Sequence, residues 1–293
     1  MDPLTSVYRH FNPAYHSPGY HPRDAYAMGL ASALAYEPEA EVKRVLTAWG
    51  FTKTHWFSKK RGRTIDTQGF IAIGDTTIVV AFRGSESKAD WLTNLQARTD
   101  PGCFTGSEVH GGFRDAIFPV LLELGAILGQ EHRQGQEKSV WVTGHNLGGA
   151  LATLLIAMLT VADGDCEALV DFQFGGLYTF GAPRVGDRNF AEALDTCPRL
   201  QDRLFRVVNF GDPVPQLPRT YMGFQHGGRV ISIDDQDQVR QEAPSAQSRF
   251  QAFRQWVGYV AQPDFQTVQS HQMRGEYGYL TALQRASQGI DRG

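Results

Sequence analysis

The sequence predicts an α/β fold, with a mainly parallel central sheet and helices on both of its faces. Two observations carry that expectation. Short apolar or β-branched runs alternate with longer helical patterns along the chain, the order in which helices come to cover a parallel sheet. The segment Leu147–Thr160 (LGGALATLLIAMLT) is apolar on nearly all faces and directly follows the buried-strand run Val140–Val142. Such a helix must be buried rather than lie on the surface.

The elements follow in order. Residues 1–23 are rich in Pro, His and Tyr and read as an irregular arm, and Pro22–Tyr36 (PRDAYAMGLASALAY) reads as a first helix with Asp24 in its first turn. Gly69–Gly74 and Thr76–Phe82 read as two strands turning at Gly74–Asp75. Gly112–Gly129 is a long helical pattern, interrupted or kinked at Pro119. Leu177–Phe180 and Leu204–Asn209 are short strand-like runs with a helical stretch near Asn189–Leu194 between them, and Arg229–Ile233 is a further strand. Asp234–Arg254 is polar and Gln-rich, a surface excursion, and Ser270–Ala286 holds a loop and a closing helix. No internal repeat is present, and one domain over 1–293 is expected.

Composition excludes more than it specifies. The chain has 293 residues, 42% of them hydrophobic, with 18 Phe, enough for a sizeable core. A net charge of −3 gives no electrostatic case for nucleic acid, and no Lys/Arg run suggests a membrane-surface stripe. No apolar stretch reaches the length of a membrane span. Cys103, Cys166 and Cys197 are odd in number and share no metal-ligand spacing, which reads as structural thiols. His10, His16 and His21 read as part of a solvated arm rather than as a metal site, so neither metal nor cofactor is expected. The first residues carry no hydrophobic stretch of the kind a signal peptide needs. The chain is therefore expected to be cytoplasmic, exported by a non-classical route, or already relieved of a signal.

The chemistry centres on Gly144-His145-Asn146-Leu147-Gly148. A G-x-S-x-G sequence on a sharp strand-to-helix turn presents a nucleophilic serine in many hydrolases. Every part of that frame is here except the serine. The Asn146 carboxamide cannot be deprotonated to an attacking alkoxide, although Asn tolerates the unusual backbone angles of the turn. Three readings of Asn146 stand: a Ser→Asn substitution that silences a working enzyme, a natural pseudo-enzyme that binds an acyl ligand without cleaving it, and deamidation to an aspartate nucleophile. The last is disfavoured because a bulky leucine follows.

Two further segments point to acyl chemistry. Arg83-Gly84-Ser85 follows the apolar strand Ile78–Phe82, where a loop can supply one oxyanion donor, the other being the N–H of the residue after the nucleophile, Leu147. Ser85 taken alone reads more readily as an ordinary helix cap for the DWLTNL segment that follows. Asp212 sits just beyond a strand and downstream of the elbow, in the order nucleophile, acid, histidine, although Asp before Pro is also a common turn former.

The stretches AFRGSES (81–87), VHGGFRDA (109–116), VTGHNLGGALATL (142–154), TFGAPRVGDRNFA (179–191) and VVNFGDPVPQLP (207–218) together resemble the fungal-type, or class 3, triacylglycerol lipase family. With the flanking strand and histidine, the resemblance spans about Phe70 to His271. It implies the α/β-hydrolase fold and cofactor-free hydrolysis of carboxylic esters, usually of lipids, by a Ser-His-Asp mechanism. Carried over by position, Asn146 stands at the nucleophile, Asp212 is the acid, and Ser85 with Leu147 forms the oxyanion hole. Glu86 to about Leu95, with Trp91 and Leu92, matches a movable lid. His271, ahead of the final helix, is expected to be the base, and His226 a structural histidine. Tyr277 follows His271 later than the family's usual tyrosine does. His145 reads as a packing and hydrogen-bonding residue, and Arg184 and Asp187 as structural groups holding the strand-to-helix turn. The expected partner is a lipid or other ester, with a lipid–water interface as one place where it would be met. Head group, acyl length and oligomeric state are not legible.

Overall fold

The computed structural model describes residues 18–61, 65–84, 98–134, 138–160, 172–241, 270–275 and 278–289. In chain order its elements are α1 (Pro22–Leu34), α2 (Glu39–Ala48), β1 (Lys53–Arg61), β2 (Ile65–Ile73), β3 (Thr77–Phe82), β4 (Thr99–Pro101), β5 (Glu108–His110) and α3 (Gly111–Arg133). There follow β6 (Ser139–His145), α4 (Leu147–Thr160), β7 (Gln173–Phe180), β8 (Gly186–Asp187), α5 (Arg188–Thr196), β9 (Leu204–Asn209), β10 (Phe224–Gln225), β11 (Arg229–Ile233), β12 (Val239–Arg240) and α6 (Tyr279–Gly289).

One sheet runs β1-β2-β3-β6-β7-β9-β11-β12. Its centre, β3-β6-β7-β9-β11, is parallel throughout, while β1, β2 and β12 join antiparallel at the edges. Because strand side chains alternate, β3 feeds two cores at once. Ile78, Val80 and Phe82 pack against α3, α4 and α5, whereas Val79 and Ala81 pack against α1 and α2. Trp141, Tyr178, Phe205, Val207 and Ile231 continue the second core, which α6 closes with Tyr279, Ala282 and Leu283. Helices on both faces of a mainly parallel sheet are the architecture the alternation of elements predicts. A short second sheet, β10-β8-β5-β4, flanks it.

The differences from the sequence reading have local causes. The arm ends earlier than residue 23, because Pro22 opens α1 and the His21 side chain accepts the Arg23 N–H at 3.3 Å as its cap. A single helix, α3, runs through Pro119, although proline removes one intrahelical hydrogen bond. Phe113, Ala116, Ile117, Val120, Leu124 and Leu128 are all buried on the sheet, and that packing outweighs the loss. The strand β1 (KTHWFSKKR) and the helix α2 carry too much charge to stand out by hydrophobicity. Pairing with β2 over the whole of β1 makes the strand. Only Val42, Val45 and Leu46 bury the helix. No described helix is long and apolar enough to cross a membrane.

Candidate active site

The sharp turn between β6 and α4 is held open for one residue and closed by glycines around it. Asn146 has φ 56°, a left-handed backbone that asparagine tolerates better than most side chains. Its N–H donates to Phe180 O at 3.0 Å, and its carbonyl accepts Gly149 N–H at 3.0 Å. A Cβ on Gly144 would lie 2.2 Å from Gly148 O, and one on Gly148 would lie 2.4 Å from Phe82 O. Helix and strands therefore meet at backbone contact, as the spacing of the two glycines predicts. Leu147 opens α4 half-buried, so its N–H has no acceptor one turn back.

Asp212 lies three residues beyond β9 and is almost fully buried. Its Oδ1 accepts the Val214 N–H at 2.9 Å, which fixes the carboxylate at the loop's start. Both of its oxygens stand 2.9 Å from His271 Nδ1, so this nitrogen carries the proton and donates it to the carboxylate. The opposite nitrogen, Nε2, is then an acceptor. It is buried and has no hydrogen-bond partner among the described residues, and the same is true of Asn146 Oδ1.

Three contacts hold this imidazole from behind. Asn209 Nδ2 donates to Ser270 O at 2.9 Å, pinning the residue before it. His145 Nε2 donates to His271 O at 2.6 Å, with the two rings 4.6 Å apart. His145 Nδ1 is consequently the acceptor and takes the Tyr36 hydroxyl at 2.7 Å. The expectation that His145 is a packing and hydrogen-bonding residue holds in this detail. Tyr279, from the first turn of α6, donates a short hydrogen bond to Asp212 Oδ2 and accepts the Asn209 N–H at 3.2 Å. Burial, then the neighbouring Asp212 charge, holds the Tyr279 phenol well above its ordinary pKa, so it stays a donor.

The structure thus brings Asn146, Leu147, Asp212 and His271 to the carboxyl ends of β6, β7 and β9, where open parallel sheets place ligands. It puts His226 elsewhere: His226 Nε2 donates to Pro215 O at 2.8 Å, and desolvation, with Arg206 and Arg184 nearby, depresses its pKa well below normal. Asp187 caps α5 by accepting the Phe190 N–H at 2.8 Å, as expected. Arg184 does something different from holding that turn. Its Nη1 donates to Gln216 O at 2.5 Å and to Pro218 O at 2.7 Å, clamping the loop that follows Asp212. Ser85, the Glu86–Leu95 segment, Cys166, Tyr277, His10 and His16 lie outside the described residues. Cys197 is a buried core thiol. Among the described residues no group of three His, Cys, Asp or Glu could hold a metal ion.

Three residues of the site were not singled out in the sequence. Tyr279 reaches the acid from the first turn of α6, a contact that spans 67 residues of sequence. Tyr36 carried no signal, since its partner is 109 residues away. Gly181 did carry one, as the glycine just past β7. At φ 55° a Cβ there would lie 2.5 Å from Asp212 Oδ2 and 3.1 Å from His271 Nδ1.

The comparisons with known proteins agree with this frame. The family described as lipase (class 3) matches residues 79–222. The lipase of Rhizomucor miehei is 37% identical over 173 residues, which are 58% of this chain and 46% of that protein. Secreted mono- and diacylglycerol lipase 1 of Fusarium solani is 35% identical over 158 residues, 54% of this chain and 44% of that one. The chain spans about half the length of the curated relatives it matches. Among solved structures, a triacylglycerol lipase described as having a serine-protease triad at its catalytic centre superposes with a TM-score of 0.63 at 27% identity, covering 89% of this chain and 94% of that one. The Rhizomucor miehei triacylglyceride lipase structure superposes with a TM-score of 0.60 at 31% identity, covering 73% of this chain and 79% of that one. The sheet is thus that of an α/β hydrolase, and with the matched core running from β3 to the loop clamped by Arg184, the chain belongs to the class 3 lipase family.

Proposed function

We propose that this is a carboxylic ester hydrolase site for lipids, built for a Ser-His-Asp mechanism and deprived of its covalent route by Asn146. The observation that carries the reading is the buried His271–Asp212 pair, its Nδ1 on the carboxylate and its ring 4.6 Å from that of His145 in the elbow. With a serine at position 146, the hydroxyl attacks the ester carbonyl while His271 Nε2 takes its proton. Asp212 holds the imidazole in the tautomer this needs and stabilises the imidazolium that forms. The oxyanion of the tetrahedral intermediate sits against the Leu147 N–H and, by position in the sequence, the Ser85 N–H. Trp91 and Leu92 are read from sequence alone as the apolar side of a lid that opens at a lipid surface. The names of the Fusarium solani relative and of the Rhizomucor miehei structure speak of acylglycerols, which makes a neutral glyceride the first substrate to try.

The test is Asn146→Ser. Loss of such a nucleophile costs about a million-fold in turnover. The substitution is therefore expected to raise hydrolysis of p-nitrophenyl butyrate and of a short-chain glyceride by at least ~10⁴-fold. A well-folded Asn146→Ser protein that hydrolyses neither substrate faster than the unaltered chain overturns the reading, and retained binding of lipid would then make the chain a binding protein.

A further inference from the structure

Asn146 Oδ1 and His271 Nε2 have a shared property that a Ser-His-Asp site would not leave in place. Both are buried, their residues only 2% and 4% exposed, and neither has a hydrogen-bond partner among the described residues. Both belong to the Phe180–Gly181 corner, where Asn146 N–H bonds Phe180 O and Gly181 lies against His271 Nδ1. Both are acceptors. An amide oxygen only accepts, and His271 Nε2 accepts because Nδ1 spends the ring's proton on Asp212. With the Asn146 amide turned this way, two buried acceptors cannot satisfy each other, and leaving each unmet costs about 1–3 kcal/mol. The small group that satisfies both is one that donates twice, which is water.

We propose that this chain hydrolyses activated esters slowly and without a covalent intermediate, using a water held between Asn146 Oδ1 and His271 Nε2. The inference rests on the reading of the site as an ester hydrolase, but it needs no serine. The water oxygen forms a bond to the ester carbonyl carbon as one of its protons passes to His271 Nε2. The carbonyl oxygen becomes an oxyanion, which the Leu147 N–H faces at the start of α4. The intermediate then collapses: the bond from carbon to the alkoxy oxygen breaks, and His271 returns the proton to that oxygen. The products are a carboxylic acid, ionised in solution, and an alcohol, and the imidazole ends as it began. Asp212 supports the transient imidazolium, and Asn146 aims the water rather than attacking.

This route has signatures that a covalent one lacks. The unaltered chain is expected to hydrolyse p-nitrophenyl butyrate linearly, with no burst of nitrophenol. Its rate should exceed that of His271→Ala and of His271→Gln by at least ~10-fold, general-base catalysis being worth about 10²–10⁴. A p-nitrophenyl alkylphosphonate should leave both its intact mass and its rate unchanged, and Asn146→Ala should lose most of the His271-dependent rate. Circular dichroism establishes that each variant is folded, and the glutamine variant preserves the size of the side chain. Equal rates for the unaltered chain and both His271 variants overturn the proposal. So does a phosphonate adduct that stops the reaction, since it reveals a covalent nucleophile. Asn146→Ser separates the two readings. If it is fast and phosphonate-labelled while the unaltered chain matches His271→Gln, the water route fails alone. If it is inert while the His271-dependent rate persists, the serine reading fails and the water route stands.

Discussion

At the scale of single residues, the acid is governed by what surrounds it. Asp212 is met by His271, the Val214 N–H and the Tyr279 hydroxyl, and Gly181 leaves room for all three. Tyr279 is a positioning residue, since it reaches the reacting atoms only through Asp212. Removing its hydroxyl takes away one of the anchors that fix Asp212 Oδ2, so the carboxylate holds the imidazole less firmly. Tyr279→Phe, measured in the Asn146→Ser background, is therefore expected to lower kcat by about 10-fold at nearly constant KM, comparable to losing one charge-assisted hydrogen bond of ~1.5–3 kcal/mol. A merely structural tyrosine would lower the melting temperature and leave kcat of the folded enzyme where it was.

Among the elements, the strand–turn–helix unit β6–α4 is the one that tolerates least. The helix is pressed against β3 so closely that Gly148 has no space for a side chain, its nearest obstacle being the Phe82 carbonyl rather than a movable side chain. Backbone cannot step aside as a rotamer can, so α4 would have to lift from the sheet. Gly148→Ala is expected to destabilise by about 1–3 kcal/mol, the usual range for overpacking, visible as a lower urea midpoint at unchanged slope. A change under ~0.5 kcal/mol, the level of an ordinary surface substitution, would mean that the helix has slack at this contact. The loop after β9 is built differently. Its carbonyls at Pro215, Gln216 and Pro218 are tied down by the neutral imidazole of His226 and by the guanidinium of Arg184.

For the whole molecule, the α1 side of the sheet carries a stored pH dependence. Asp24 is buried in the first turn of α1, and desolvation raises its carboxyl from 3.8 to about 7. Its charge in turn pushes the Tyr20 and Tyr178 phenols further above their ordinary range, after burial itself. A carboxyl whose pKa is higher folded than unfolded takes up a proton on folding between those two values. The stability this confers is full below about pH 4, the ordinary carboxylate range, and is lost as pH rises through 7. Asp24→Asn should accordingly lie closest to the unaltered chain at pH 5 and exceed it at pH 8, compared by urea midpoints. Parallel midpoints of the two proteins across that interval would show that Asp24 meets an unrecognised partner when ionised.

What the sequence by itself determined is local or periodic. The all-apolar run of α4 matches Leu147–Thr160, and β9 and β11 match Leu204–Asn209 and Arg229–Ile233, because β-branched strands and a fully buried helix are written in side-chain chemistry. The elbow was legible as a spacing of glycines, and the order Asn146, Asp212, His271 as a succession along the chain. Tertiary structure decided whatever depends on pairing across distance. The strand β1 exists because β2 pairs with it, and α3 passes Pro119 because the sheet receives its apolar face. Tyr279 on Asp212, Tyr36 behind His145, and Arg184 on the loop after Asp212 were all settled by which side chains the fold brings within hydrogen-bonding reach. The same holds for the two unmet acceptors at the centre of the site. A sequence names Asn146 and His271, but only packing removes them from solvent and leaves each without a donor among the described residues, and that desolvation is what gives their pairing chemical meaning.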